Sequence, residues 1–93
     1  MPKINAIYEN SVLVSLDKLS DMPSEKWDWR YAFLGKKGTL YIMESVKKNK
    51  GKHFIVLTDK KDFRLTTGYG EIQMAEKFIR ITTKNSSYIF LTE

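Results

Sequence analysis

A chain of 93 residues is long enough for one folded domain and too short for two independent cores. Hydrophobic residues make up 42% of it, which is ample for a core and argues against general disorder. There is no cysteine, which excludes disulfide and thiol chemistry and fits an intracellular location. The N-terminus lacks the apolar run of a secretory signal, and no stretch reaches the roughly 18 apolar residues of a membrane span. We therefore expect residues 1–93 to form a single compact cytoplasmic domain.

The net charge of +5 is unevenly distributed along the chain. The segment from Lys36 to Lys61 holds eight lysines against Glu44 and Asp59, a local charge of +6. All other residues together carry −1. A basic segment of this kind favours a polyanionic partner or a solubilising role.

The first half of the chain predicts a hairpin, a short helical turn and an aromatic strand, in that order. "INAIY" and "VLVSL" flank "ENS" (9–11) and predict the hairpin. Pro23 and Ser24 indicate a helical turn or loop near residues 20–26. In "WDWRYAFL" every second residue is aromatic, which predicts a strand from about Lys26 to Leu34 with its rings on one face. That face is expected to be core, and base stacking on an exposed face is the alternative.

The second half is typical of a meander of short strands. "GKKG" (35–38) is read as a turn, "TLYIMESV" (39–46) as the returning strand and "KKNKGK" (47–52) as the next turn. "HFIVLT" (53–58) has the continuous apolar character of a central strand, and "DKKD" (59–62) turns into "FRLTT" (63–67).

The C-terminal part ends in a second predicted hairpin. "FIRITT" (78–83) and "SYIFLT" (87–92) flank "KNS" (84–86). "GYGEIQMAEK" (68–77) is either a short strand or a helical turn, with a bend or bulge around Tyr69. The fold class expected is mostly β: a small antiparallel meander that closes into a barrel or sandwich, with at most one or two short helical turns.

The residue types needed for catalysis or metal binding are scarce. His53 is the only histidine, so any classical nucleophile–base arrangement would have to use it, and a zinc site lacks ligands. The acidic residues lie mostly in turns or beside lysines, without the alternate oxygen ligands and central glycine of a calcium loop. The sequence therefore predicts a protein that is not an enzyme, with no metal and no cofactor.

The lysines of the turns are the predicted nucleic-acid contacts. In a meander, alternate turns project from the same end of the sheet, so "GKKG" and "DKKD" are expected together and "KKNKGK" at the opposite end. Lysines in turns also keep hairpin tips soluble, which is the plainer interpretation of each turn alone. The residues predicted to contact phosphates are Lys36, Lys37, Lys47, Lys48, Lys50 and Lys52.

A second group of side chains is typical of contacts with a protein partner. Trp, Tyr and Arg dominate the energetics of protein interfaces. The predicted partner contacts are Trp27, Trp29, Arg30 and Tyr69, the last placed between two glycines where it can project.

The C-terminal third, "FRLTTGYGEIQMAEKFIRITTKNSSYIFLTE", resembles small phage and mobile-element proteins of unknown function. The matching residues of their closing hairpin are Thr83, Asn85, Ser86 and Tyr88. The resemblance implies a compact protein that binds nucleic acid or host machinery and carries no catalytic residue. We predict a non-catalytic protein that contacts nucleic acid through its lysine-rich turns; the alternative is an inhibitor that occludes a host defence protein.

Overall fold

In a computed structural model, the described part of the chain forms seven β-strands and one 3₁₀ helix. The structure describes residues 3–18, 28–45, 52–84 and 86–92, with the side chains of residues 28 and 29 left out. In chain order the elements are β1 (Lys3–Lys18), the 3₁₀ helix (Asp28–Phe33), β2 (Lys37–Glu44), β3 (His53–Thr58), β4 (Arg64–Thr66), β5 (Gly70–Ala75), β6 (Phe78–Thr83) and β7 (Ser86–Leu91).

The strands pair in a closed ring, with every pairing antiparallel. Around the ring the order is β1, β2, β3, β5, β6 and β7, which returns to β1, and β4 pairs with the second half of β3. The expected fold class, a mostly β antiparallel meander closing into a barrel, is confirmed.

Two groups of strands can be distinguished. Sheet I contains the first half of β1 with β2, β3 and β4, and sheet II contains the second half of β1 with β7, β6 and β5.

The first corner of the barrel lies inside β1, where a hairpin was predicted. That prediction is wrong: residues 3–18 form one strand that pairs with β2 and then with β7, and Val12 has partners in both. The register shifts between Tyr8 and Ser11, and Asn10 takes a φ of 55°. Asparagine tolerates this left-handed conformation, and one such residue at a bulge bends a strand without reversing it. The bend carries β1 from one sheet into the other.

The second corner lies between β4 and β5. Gly70 is paired with His53 of β3 on one side and with Thr83 of β6 on the other. A Cβ atom on Gly70 would lie 2.1 Å from the carbonyl oxygen of Thr82, so only glycine fits there. The predicted bend near Tyr69 is confirmed, and the ambiguous stretch 68–77 contains strand β5.

The core is built from the inward rows of both sheets. Strand alternation puts every second residue inside, and these residues are at most 6% exposed. Sheet I contributes Leu40, Ile42, Ile55, Leu57 and Leu65. Sheet II contributes Leu13, Leu16, Ile79, Ile81, Tyr88 and Phe90. Neither sheet could bury its apolar face without the other, and the two inward rows form one core cluster.

The predicted aromatic strand at residues 26–34 is wrong, because residues 28–33 form the 3₁₀ helix. Arg30 donates its Nε to the hydroxyl of the buried Tyr88 at 3.1 Å, and Phe33 packs on Phe63 with ring centroids 5.7 Å apart. Tyr31, by contrast, is 43% exposed. The rings of Tyr31 and Phe33 therefore do not share one face. Tertiary contacts of Arg30 and Phe33 with the barrel override the alternating pattern.

The "GKKG" segment is a link between the helix and β2, and the hairpin turn predicted there is wrong. Gly35 has a φ of 83° and donates its N–H to the carbonyl of Leu13 at 2.9 Å. Lys37 and Gly38 already belong to β2. Because the segment immediately before it is helical, this link does not join two consecutive strands.

The remaining predicted strands agree with the structure. β2 and β3 pair in register from Thr39 opposite Thr58 to Glu44 opposite His53, and β6 and β7 form the C-terminal hairpin. The short strand after "DKKD" is β4. Within the described residues, no helix is long and apolar enough to span a membrane.

Candidate nucleic-acid interface

The outer face of sheet I contains an open groove with an apolar floor. Tyr41 and Met43 of β2 and Val56 of β3 point outward, because their neighbours along each strand fill the core. Val56 is only 6% exposed, so it forms the floor. The groove measures about 360 Å³, and the residues that line it, hereafter the aromatic groove, are Ile4, Tyr41, Met43, Val56, Thr58, Lys60 and Arg64.

Two further rings extend this surface. Phe54 is opposite Met43 in the β2–β3 ladder and so lies on the same outer face. Tyr69 packs edge-on against Phe54, with ring centroids 5.3 Å apart and planes at 80°. Tyr69 remains 43% exposed. An exposed ring held by a neighbouring ring is a platform on which a planar group can stack.

Two cations belong to the groove itself. The Nζ of Lys60 lies 5.9 Å from the centroid of the Tyr41 ring, within the range of a cation–π contact. Arg64 is opposite Thr58 in the β3–β4 pairing, and its neighbour Leu65 points into the core, so Arg64 points outward. The groove thus places positive charge beside aromatic surface.

The "DKKD" turn is held in shape by two side chains at the end of β3. The Oδ1 atom of Asp59 accepts hydrogen bonds from the backbone N–H groups of Lys61 and Asp62, both at 2.8 Å, and of Phe63 at 3.1 Å. These bonds, the one from Lys61 above all, lower the pKa of Asp59 below its ordinary value, against a smaller effect of burial. Thr58 accepts from the N–H of Lys60 at 2.9 Å. Lys60 is therefore presented by an ordered turn, at a φ of 65°.

The predicted phosphate-contacting lysines fall into two groups. Lys36 and Lys37 are exposed and lie near the "DKKD" turn, because β2 begins beside the end of β3: a Cβ on Gly38 would lie 2.6 Å from the carbonyl oxygen of Thr58. The expected proximity of "GKKG" and "DKKD" is thereby confirmed. Lys52 is exposed and lies just before β3, where its carbonyl accepts the N–H of Ser45 at 3.2 Å. Lys47, Lys48 and Lys50 lie outside the described residues.

The predicted partner contacts are dispersed. Tyr69 is at the edge of the aromatic groove, whereas Arg30 is half-buried and bonded to Tyr88. Trp27 lies outside the described residues, and only the backbone of Trp29, in the 3₁₀ helix, is described. Of the two predicted contacts whose side chains are described, Tyr69 lies at the outer face of sheet I and Arg30 does not.

Sequence reasoning did not assign Lys60, Arg64, Met43 or Phe54 to the site. A signal for them was present: Tyr41 and Met43 on one strand and Phe54 and Val56 on the next are outward rows at alternate positions. These rows become one surface only through the β2–β3 register and the return of the chain along β4. The register and the return of the chain depend on tertiary contacts, which the local sequence pattern does not specify.

The only histidine forms a small polar cluster where β2 and β3 meet. The Nδ2 of Asn5 donates to Glu44 Oε1 at 2.9 Å, and His53 Nε2 lies 3.7 Å from the same oxygen. The bond from Asn5 is the largest cause of the lowered pKa of Glu44, and the nearby charges of His53 and Lys3 lower it further, against burial. No group of three metal-ligating side chains occurs among the residues that the structure describes.

Sheet II also has an apolar outer surface, but with a different chemistry. Val14 is the extra residue of a bulge opposite β7 and is 44% exposed, and Phe78 is 47% exposed. They line a groove of about 470 Å³ together with Ile89 and Arg80. Arg80 donates its Nε to Ser87 at 3.3 Å. Among the described residues that line this groove, Phe78 is the one aromatic ring and Arg80 the one cation.

No family model, curated protein or solved structure matches this chain. The resemblance of the C-terminal third to mobile-element proteins therefore stays a prediction, and the site has to be interpreted from its own geometry.

Proposed function

We propose that the protein binds single-stranded nucleic acid on the outer face of sheet I without catalysing a reaction. The observation that carries the proposal is the aromatic groove, in which Tyr41 lies beside Lys60 and Arg64. The paired rings of Phe54 and Tyr69 extend the same outer face beyond the groove. Proteins that bind single strands combine aromatic stacking platforms with a cationic track for the backbone.

The bases are assigned to the rings of this surface. Tyr69 is the most accessible of the three, and its edge-on contact with Phe54 leaves one planar face for a base. Stacking of a base on an aromatic ring contributes roughly 1–3 kcal/mol and tolerates any sequence. Bases in a duplex are stacked on each other, so this mode of binding favours single strands.

The phosphates are assigned to the cations beside the groove. Lys60 and Arg64 line it, and Lys36 and Lys37 are exposed at the neighbouring start of β2. Four phosphate contacts on a single strand correspond to a salt slope of about −3 in log K against log salt. The predicted contacts Lys47, Lys48, Lys50 and Lys52 would make the salt dependence steeper if the nucleic-acid strand also reaches them.

The test is fluorescence anisotropy with labelled oligonucleotides of about 12 nucleotides, a length within the range covered by small single-strand modules. We expect single strands to bind at least about tenfold more tightly than the matching duplex, because only unpaired bases can stack. Equal affinity for single strands and for the matching duplex would mean that the protein binds polyanions in general, without stacking on bases. No binding at low salt would overturn the proposal.

Tyr69→Ala separates stacking from charge. The expected loss is about 5- to 100-fold in affinity for single strands, with the salt slope unchanged, because no cation is removed. The matched control is Phe78→Ala, which removes a similarly exposed ring from sheet II and should leave affinity unchanged. An unchanged affinity in Tyr69→Ala would contradict the assignment of bases to this surface.

The alternative function is inhibition of a host protein by occlusion. One observation supports it, the apolar outer face of sheet II with Phe78 and Arg80. Aromatic and arginine side chains are typical centres of protein interfaces. This alternative predicts a function that survives loss of the lysines and fails when Phe78 is removed, the reverse of what the nucleic-acid proposal expects.

A further inference from the structure

Strand β5 has one edge without a backbone partner among the described residues. On one side it pairs with β6 along its whole length, and on the other it pairs with β3 only at Gly70. After Gly70 the two strands separate. Glu71, Gln73, Met74 and Ala75 are all exposed, and Met74 is 55% exposed. An open edge next to exposed apolar side chains is a template for another strand.

The backbone groups available at this edge can be identified from the β5–β6 hairpin. Ala75 and Phe78 close a two-residue turn, and such a closing pair is hydrogen-bonded. Alternation then directs the N–H and C=O groups of residues 71, 73 and 75 toward β6. Those of Ile72 and Met74 point to the open side, the side on which Gly70 meets β3. The edge therefore offers two donors and two acceptors.

The side chains of β5 favour a second copy of the same strand as the occupant. In an antiparallel pair centred on Gln73, Ile72 lies opposite Met74 of the other copy, and Glu71 lies opposite Ala75. Ile72 packs against the core, so its row is the inner one and both Ile72–Met74 contacts are apolar. The outer row places Gln73 beside its own copy and no carboxylate beside another. The strand is thus complementary to itself.

Charge does not oppose this contact. Near the edge, Glu71 and Glu76 balance Lys77 and Arg80. The described lysines of the basic segment from Lys36 to Lys61 belong to the strands and turns of sheet I instead. Dimers with twofold symmetry are the commonest symmetric assemblies, and their interfaces are self-complementary. We infer that β5 pairs with β5 of a second copy, antiparallel and centred on Gln73, to form a homodimer through sheet II. This inference is independent of the proposed function.

The register gives a direct chemical test, because the chain has no cysteine. With Gln73→Cys, the two new thiols would face each other across the twofold axis in a pair that is not hydrogen-bonded. Cα atoms in such pairs are about 4.5 Å apart, within the range that a disulfide spans. Mild oxidation should convert most of the Gln73→Cys protein to a covalent dimer. Thr66→Cys, at an exposed position of β4 away from the twofold axis, is the matched control and should form no covalent dimer.

Sedimentation equilibrium of the unaltered protein is the second arm, with Met74→Lys as the variant. The dimer should dissociate on dilution, and Met74→Lys should raise the dissociation constant at least about tenfold, because it places a charge opposite Ile72. Ile7→Lys is the matched control, since Ile7 on sheet I is also 55% exposed, and it should leave the dimer intact. A monomer at all concentrations, or equal cross-linking of Gln73→Cys and Thr66→Cys, would overturn the inference.

Discussion

The outer faces of sheet I and sheet II expose apolar side chains to a similar extent and differ in what surrounds them. Ile4 and Ile7 on sheet I are 51% and 55% exposed, and Val14 and Phe78 on sheet II are 44% and 47% exposed. On sheet I the apolar surface contains three aromatic rings and lies beside Lys60 and Arg64, whereas the groove of sheet II contains one ring and one arginine. Apolar exposure alone does not indicate which ligand a surface binds. The combination of aromatic rings with cations does, because it is typical of surfaces that bind single-stranded nucleic acid.

The two sheets also differ at the edges that end them. In sheet I, β4 lies along β3 and ends after three residues, which is a short edge. In sheet II, β5 is six residues long and open beyond Gly70 among the described residues. Short edges discourage pairing with other chains, and longer ones permit it. Sheet I is thus suited to a ligand on its face, and sheet II to a partner along its edge.

The comparison assumes one core beneath both faces, and Phe90→Ala tests that assumption with the largest expected effect. Phe90 is fully buried and stacks near Tyr88, with ring centroids 6.3 Å apart. Removing such a ring costs about 3–5 kcal/mol of unfolding free energy. Urea denaturation followed by tryptophan fluorescence and circular dichroism should give one transition at a lower midpoint. Two separate transitions would mean that the sheets fold independently.

The next largest effect is expected from the lysine-rich segment "KKNKGK" (47–52). Changing Lys47, Lys48, Lys50 and Lys52 together to serine removes four charges, which on a single strand changes the salt slope by up to about 3. We expect weaker oligonucleotide binding and a shallower slope in anisotropy titrations. If neither affinity nor slope changes, these four lysines serve solubility, and only the cations of the aromatic groove and the start of β2 contact phosphates.

A smaller change compares equal charge losses on the two faces. Lys60→Asn with Arg64→Gln removes two cations from sheet I, and asparagine tolerates the positive φ of residue 60. The slope against salt should become shallower by about 1.4 on single strands. The matched variant, Lys77→Asn with Arg80→Gln, removes two cations from the β5–β6 hairpin. Equal losses in both variants would show that binding depends on net charge and not on the aromatic groove.

The smallest expected effect concerns acid stability, and it too distinguishes the sheets. The pKa of Asp59 and that of Glu44, both in sheet I or its turns, are lowered in the folded state. A carboxylate with a lowered pKa stabilises the fold above its unfolded pKa, and that contribution disappears as the pH falls through the folded pKa. Stability should therefore decline at and below the ordinary range of carboxylate pKa values.

Asp59→Asn isolates the part of this acid destabilisation that comes from the "DKKD" turn. Asparagine keeps an oxygen acceptor and does not titrate in this pH range. Urea midpoints measured over an acidic pH series should fall less steeply for Asp59→Asn than for the unaltered protein. Parallel curves for the two proteins would contradict the role assigned to the Asp59 carboxylate.

Local patterns in the sequence predicted the second half of the fold. The apolar run "HFIVLT" is β3, and the hairpin around "KNS" is the β6–β7 pair, because short-range turn signals and neighbouring strands specify both. The first half was predicted less well. Asn10 bends one strand where "ENS" resembled a turn, and Arg30 and Phe33 hold a 3₁₀ helix against Tyr88 and Phe63 where alternation resembled a strand.

The candidate site was predictable only in part for the same reason. Lysine content pointed to the turns, and the glycines around Tyr69 pointed to a projecting ring. The meeting of Tyr41, Phe54 and Arg64 on one face depends on strand register and on the second corner at Gly70, contacts between residues distant in the sequence. No local pattern encodes them.

The most direct test of the central claim is an amide chemical-shift titration of the isotope-labelled protein with a short single-stranded oligonucleotide. The account predicts that the perturbed resonances cluster in β2, β3 and β4 and around Tyr69, Lys60 and Arg64. Resonances of β6 and β7 should stay in place. Perturbations centred on Phe78, Arg80 and Ile89, or spread evenly over both sheets, would contradict it.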